Sequence, residues 1–183
     1  TSSGAGVSQD FEAAAGGGGK ILQVVSKTWD DNQTGSNDGA TFADITEANL
    51  AITPASTSNK VLVNFSISGA SGAYDTPIYI RLQHNGSGSY ADITGCLSDE
   101  GTGNQTNMST IMSGGGAGEY GGTCAYTYLD SPSKDTEFNY QVQCALRWSG
   151  GVAWYINCSD DGRDETYVPF YTSTLTLTEI DGS

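Results

Sequence analysis

Seven lysines and arginines stand against 21 acidic residues, giving a formal charge of −14. Such a field repels phosphate backbones and anionic membrane surfaces at long range, so nucleic acid is not the expected partner. No apolar run approaches the roughly 20 residues that span a bilayer. The first residues also lack the basic and apolar regions of a secretory signal, so no membrane insertion is expected. Histidine is almost missing: His84 is the single one. No nucleophile-elbow motif lies beside any serine or cysteine, so a Ser-His-Asp or Cys-His site would have to be built on that one ring. His84 is therefore expected at a surface or a subunit interface, and the chain reads as non-enzymatic. Chance carboxylate pairs are easy to find among 21 acidic residues, so they are no specific sign of a glycosidase.

Cysteine is sparse as well. Cys96, Cys124, Cys144 and Cys158 form no close pair and have no histidine partner, which leaves them without zinc-ligand spacing. Buried reduced thiols are expected, as in a protein that folds in a bacterial cytoplasm. Helix formers are few, while 25 glycines and many small polar residues favour short strands and turns.

A chain of 183 residues suits one domain plus a tail. Residues 1–19 are small, polar and glycine-rich, and cannot bury enough apolar surface to fold alone. They are expected to be a flexible or docking arm, with Phe11 either an anchor on a partner or part of a loose tail. The domain, 20–183, opens with Ile21 to Val25, which reads as a buried strand. Thr41 to Ile45 and Asn49 to Thr53 read as two short strands. From Lys60 to Ser68, Val61, Val63, Phe65 and Ile67 fall on one face, with Leu62 the exception on the other. Ile78, Ile80 and Leu82 repeat the pattern, and Asn85-Gly86 turns the chain into a strand over Ser89 to Thr94.

Phe138, Tyr140, Val142, Cys144, Leu146 and Trp148 alternate with polar residues. After Ser149-Gly150-Gly151 the alternation resumes at Val152, Trp154, Ile156 and Cys158, so a hairpin is expected. In that register Cys144 and Cys158 would be diagonal, and a disulfide would need a register shift. Thr172 to Ile180 is the last strand. About ten strands with turns every 8 to 12 residues predict an all-β fold, a two-sheet antiparallel jelly-roll-like sandwich with an extended N-terminal arm.

The acidic run Ser159 to Glu165 surrounds a glycine with oxygen ligands, making Asp160, Asp161 and Asp164 candidate calcium ligands, although the spacing is not that of an EF-hand. The alternative is a solvated loop, and no other cofactor is expected. Gly114 to Gly122 lacks the lysine and following helix of a phosphate-binding loop. Its Tyr120, with Tyr74 and Tyr90, could present rings to a sugar, making these three candidate receptor contacts.

Three stretches resemble a family of small β-structured phage virion proteins, especially of marine and cyanobacterial phages. They are Gly19 to Val25; Thr41 to Ile45 with Leu50 to Pro54 and Ser58 to Val63; and Tyr128 to Pro132 with Tyr140 to Gln143 and the ending Ser173 to Ile180. The resemblance implies a tail-fibre, head-fibre or capsid-decoration module, jelly-roll-like and commonly trimeric, without catalytic residues. A virion-surface protein is then expected, assembled in the bacterial host cytoplasm. Its expected partners are itself, as a homotrimer, other virion proteins of the capsid or tail, and a host surface glycan. The rivals are a carbohydrate-binding or receptor-binding module and a glycan depolymerase.

Overall fold

A computed structural model describes residues 19–36, 41–73, 76–98, 109–112, 121–147, 152–159 and 170–182. Its strands are β1 (Ile21–Trp29), β2 (Gln33–Gly35), β3 (Ala43–Ile52), β4 (Lys60–Ser71), β5 (Ile78–His84), β6 (Ala91–Asp92), β7 (Thr110–Met112), β8 (Gly122–Asp130), β9 (Phe138–Leu146), β10 (Trp154–Ile156) and β11 (Ser173–Ile180). The larger sheet runs β1-β11-β4-β10-β2, with β8 also paired to β4. The smaller runs β3-β9-β5-β6, with β7 also paired to β5. Every named pairing is antiparallel, and the fold is the all-β sandwich of two antiparallel sheets that the alternation predicts.

The period of two puts alternate side chains on opposite faces of a sheet, and the inward sets meet between the two. Val61, Val63, Phe65, Ile67, Leu175 and Leu177 face Ile78, Ile80, Leu82, Tyr140, Val142 and Leu146, all fully buried in one core. Leu62 faces outward and is only partly covered, as its position in the alternation requires. The length of β4 decides how the larger sheet is organised. One of its edges takes β8 from Val61 to Gly69, and the other takes β11 from Lys60 to Ser66 and then β10 from Gly69 to Ser71. The second junction needs glycine: a Cβ on Gly69 would lie 2.2 Å from the Tyr155 carbonyl oxygen.

The expected hairpin of residues 138–158 does not form. β9 lies between β3 and β5 in the smaller sheet, while β10 pairs with β4 and β2 in the larger. Phe138 to Leu146 and Trp154 to Ile156 point their apolar sides inward from opposite sheets, while Cys158, past the left-handed Asn157, packs with Ala70 and Tyr155 on the outer side. The diagonal register inferred for Cys144 and Cys158 therefore falls with the hairpin, and the four cysteines are buried thiols outside any disulfide. The two short strands expected over residues 41–53 are one strand, β3, whose register to β9 shifts between Asp44 and Asn49. That bulge interrupts the alternation and imitates a turn.

The expected buried strand at Ile21 is instead an edge: among the described residues β1 pairs with β11 alone, and Ile21 and Val24 are exposed. The Asn85 turn does lead β5 back into β6, but only Ala91 and Asp92 pair, and Thr94–Cys96 closes a 3-10 turn. β8 leaves little alternation in the sequence, since Tyr126 and Tyr128 on its inner side are only partly buried and Leu129 sits on its outer side.

One pole of the sandwich, here the base, gathers the start of β1, the end of β11, the start of β4 and the end of β8. Backbone bonds Gly19 N to Asp181 O and Asp181 N to Lys20 O close it. The opposite pole, the top, holds the end of β1, the end of β4 and the start of β8.

Candidate functional site

Near the top, the chain leaving β1 passes under the bulge of β3 and leaves a cleft of about 400 Å³, lined by Trp29, Asp31, Asn32, Gln33, Thr46 and Glu47. Its walls are held from behind. Gln33 donates from Nε2 to the Asp44 carbonyl at 2.7 Å and accepts the Thr46 N–H at Oε1 at 2.7 Å, fixing the bulge to β2. Asn157, fully buried, donates to the carbonyls of Trp29 at 3.1 Å and Asp31 at 3.2 Å, and accepts from Ser173 Oγ at 2.6 Å. It does so at φ 60°, in the left-handed region that asparagine tolerates better than most residues. Lys27 pairs with Glu47 at 2.7 Å on the rim. The volume falls within the range of small-molecule sites, and the mix of carboxylate, amide and hydroxyl beside an indole suits a neutral polyol.

The outer face of the smaller sheet carries a polar ladder. Arg81 donates from Nη2 to Gln143 Oε1 at 2.6 Å and from Nη1 to Asp92 Oδ2 at 3.1 Å, and its guanidinium lies 4.1 Å from the centre of the Phe42 ring. Burial lowers the Arg81 pKa, and Asp92 and Asp44 work against that fall. Gln143 and Gln83 donate to Asp44 and Asp92, both at 2.6 Å. Tyr90 accepts from Asn49 Nδ2 at 2.8 Å. Since β5 and β9 lie between β6 and β3, its ring must cross the sheet above the paired Gln83 and Gln141, which explains why both are buried.

His84 is part of the fold at the base. Its ring stands edge-on to Phe138 and Tyr140, with centroids 5.8 Å away in each case, and Nδ1 accepts the Gly86 N–H at 3.1 Å. That leaves Nε2 for the proton, 3.8 Å from Asp130 Oδ2, the oxygen that accepts Tyr140 OH at 2.7 Å. Burial, with Asp130 beside it, holds the Tyr140 phenol well above its ordinary pKa. The cluster joins the two sheets, since His84 and Tyr140 belong to the smaller and Asp130 to the larger. His84 is partly covered at the end of the core.

Of the expected contact residues, Tyr90 alone is described, and it is exposed on the polar face. Phe11, Tyr74 and Tyr120 lie outside the described residues, as do Asp160, Asp161 and Asp164 of the expected calcium loop. The structure adds the Trp29 cleft, which sequence patterning could not find because its walls come from three strands and a bulge.

No family model matches the chain, and no curated protein matches it.

Proposed function

We propose that the chain is a non-enzymatic structural module of a phage particle, a capsid-decoration or fibre-knob subunit displayed on the virion surface. Residues 1–19 dock it to another virion protein, residues 20–183 form the displayed domain, and copies associate as a homotrimer. One observation carries this reading: Gly19 and Asp181 are bonded to each other at the base, so the arm joins the domain at one pole. The strand termini that bracket residues 74–75, 113–120 and 148–151 lie at the opposite pole. A domain held at its base would therefore turn those strand termini away from the particle.

The test adds full-length chain, and a chain of residues 20–183, to particles that lack this protein. Full-length chain should bind and the shortened one should not. Equal binding, or none by either, would overturn the arm's role.

A second reading, binding of a host surface glycan, is favoured by the Trp29 cleft and the exposed Tyr90. A glycan array probed with full-length chain tests it, with signal expected to fall for Asp31→Ala. Signal indifferent to that change would remove the cleft from the reading.

A further inference from the structure

The outer face of the larger sheet is unlike the rest of this acidic protein. The only carboxylates on β1, β11, β4 and β8 are Glu179 and Asp130, and both point inward and are buried. The outward positions carry threonine, serine, asparagine and aliphatic residues, with Lys60 at one corner. In register, Val24, Thr178, Leu62 and Leu129 form one row across all four strands. The irregularity between Ile21 and Gln23 extends this row into a patch. It inserts Leu22 as an extra residue, so Ile21 pairs with Ile180 and lies on the same face as Val24, opposite Gln23. Ile21 is 60 % exposed, Val24 57 % and Leu129 44 %.

The polar part of the face is already satisfied across the strands. Ser26 Oγ meets Thr176 Oγ1 at 2.8 Å, Asn64 Nδ2 donates to Thr127 Oγ1 at 2.9 Å, and Ser68 Oγ meets Thr123 Oγ1 at 2.8 Å. Groups paired in this way lose less when water leaves than unpaired ones would. Toward the top, the same side is built over by a small cluster of Ala70, Tyr155 and Cys158. Among the described residues nothing covers the aliphatic patch near the base.

We infer that this face, with the outer edge of β1, is where a second copy of this chain docks. Charge selects the occupant. Two molecules of formal charge −14 repel one another wherever their carboxylates meet, and this face brings none. A basic partner would be drawn instead to the acidic remainder of the surface. Among the described residues β1 is paired on one edge only, so a second chain can also reach its backbone. Four strands about 4.8 Å apart and about seven residues long at ~3.3 Å give roughly 400 Å² in the plane of the sheet. That is about half of the ~800 Å² per partner of a standard interface. The association should therefore depend on concentration, and salt should strengthen it by screening the like charges.

This inference rests on the self-association in the proposed function and not on the particle, so its test uses no particles. Sedimentation equilibrium is run on full-length chain from about 1 µM to 1 mM, at low salt and at roughly 0.5 M salt, where screening is nearly complete. Two variants are measured beside it, one with Val24→Lys and Leu129→Lys, the other with Val24→Glu and Leu129→Glu. Wild type should rise above the 19.0 kDa of one chain with concentration, and further with salt. Each variant alone should stay at one chain, and an equimolar mixture of the two should associate again. Rescue by mixing requires folded chains and a face that meets its own copy. Wild type that stays at one chain throughout would overturn the inference and leave the face to a different protein. Variants that associate as wild type does, or a mixture that stays dissociated while wild type associates, would equally overturn it.

Discussion

Glu179, the next-to-last residue of β11, points inward, 1 % exposed, and three donors converge on it. Its Oε1 accepts from the Ala55 N–H at 2.6 Å and from Asn59 Nδ2 at 2.5 Å, and its Oε2 accepts from Gln23 Nε2 at 2.6 Å. These bonds tie β1, the β3–β4 connection and β11 together at the base. Burial works against ionisation, but the three bonds outweigh it and hold the carboxyl below its ordinary pKa. Hydrogen bonds to a charged group contribute about 1.5–3 kcal/mol each, and each buried donor left unpaired costs about 1–3 kcal/mol. Relief from desolvating the charge offsets part of the loss, so Glu179→Ala should cost about 3–5 kcal/mol. That corresponds to a fall in Tm of roughly 6–20 °C for a domain of this size.

Glu179→Gln keeps one acceptor but turns an amide N–H₂ toward Gln23 Nε2, and should cost about 1–2 kcal/mol near neutral pH. A carboxyl with a depressed folded pKa contributes stability that is fully present above its unfolded value, about 4.3, and lost as pH falls through the folded value. The gap between wild type and Glu179→Gln, measured by urea unfolding, should therefore hold from pH 7 to about 5 and shrink below that. Glu179→Ala within ~1 kcal/mol of wild type would refute the reasoning, because even one lost charged bond exceeds that. So would a gap that does not change down to pH 3.

Three other outcomes are expected. Asn157→Ala should cost about 2–4 kcal/mol in urea unfolding, since it removes three bonds, two of them buried, and leaves alanine at φ 60°. Asn157→Gly should recover about 1 kcal/mol of that by relieving the backbone alone. Gly69→Ala should weaken the β4–β10 pairing, because its Cβ would meet backbone and not a side chain that can turn away; faster amide exchange at Tyr155 and Asn157 than in wild type, with Val63 unchanged, would show it. Burial pushes the Cys124 thiol up to about 11 and raises Cys96, Cys144 and Cys158. A disulfide reagent at pH 8 should accordingly find almost no reactive thiol in the native protein and all four after denaturation.

Face and depth were legible along much of the chain because a strand repeats every two residues. Val61 to Ile67, Ile78 to Leu82 and Leu175 to Leu177 all bury the side that alternation selects. Irregular backbone was not legible. The bulge in β3 read as a turn between two strands, and the one beside Leu22, which turns Ile21 outward, left no mark in an apolar run. Most of the site residues proposed from composition lie outside the described residues, while the Trp29 cleft depends on Asn157 crossing between loops more than a hundred positions apart in sequence.

Partner choice was the larger limit. Backbone N–H and C=O groups are the same at every residue, so the amino acids determine which side of a strand faces the core but only weakly which strand lies beside it. β9 and β10 show this most plainly, since two alternating runs separated by Ser149-Gly150-Gly151 in the sequence are as consistent with opposite sheets as with one hairpin. The sequence alone determined a strongly acidic charge, an all-β chain and the composition of its core. The tertiary structure decided which strands share a sheet, which edge is left unpaired, and that four strands bring their uncharged sides onto one face, because each of these depends on packing between segments far apart in the chain.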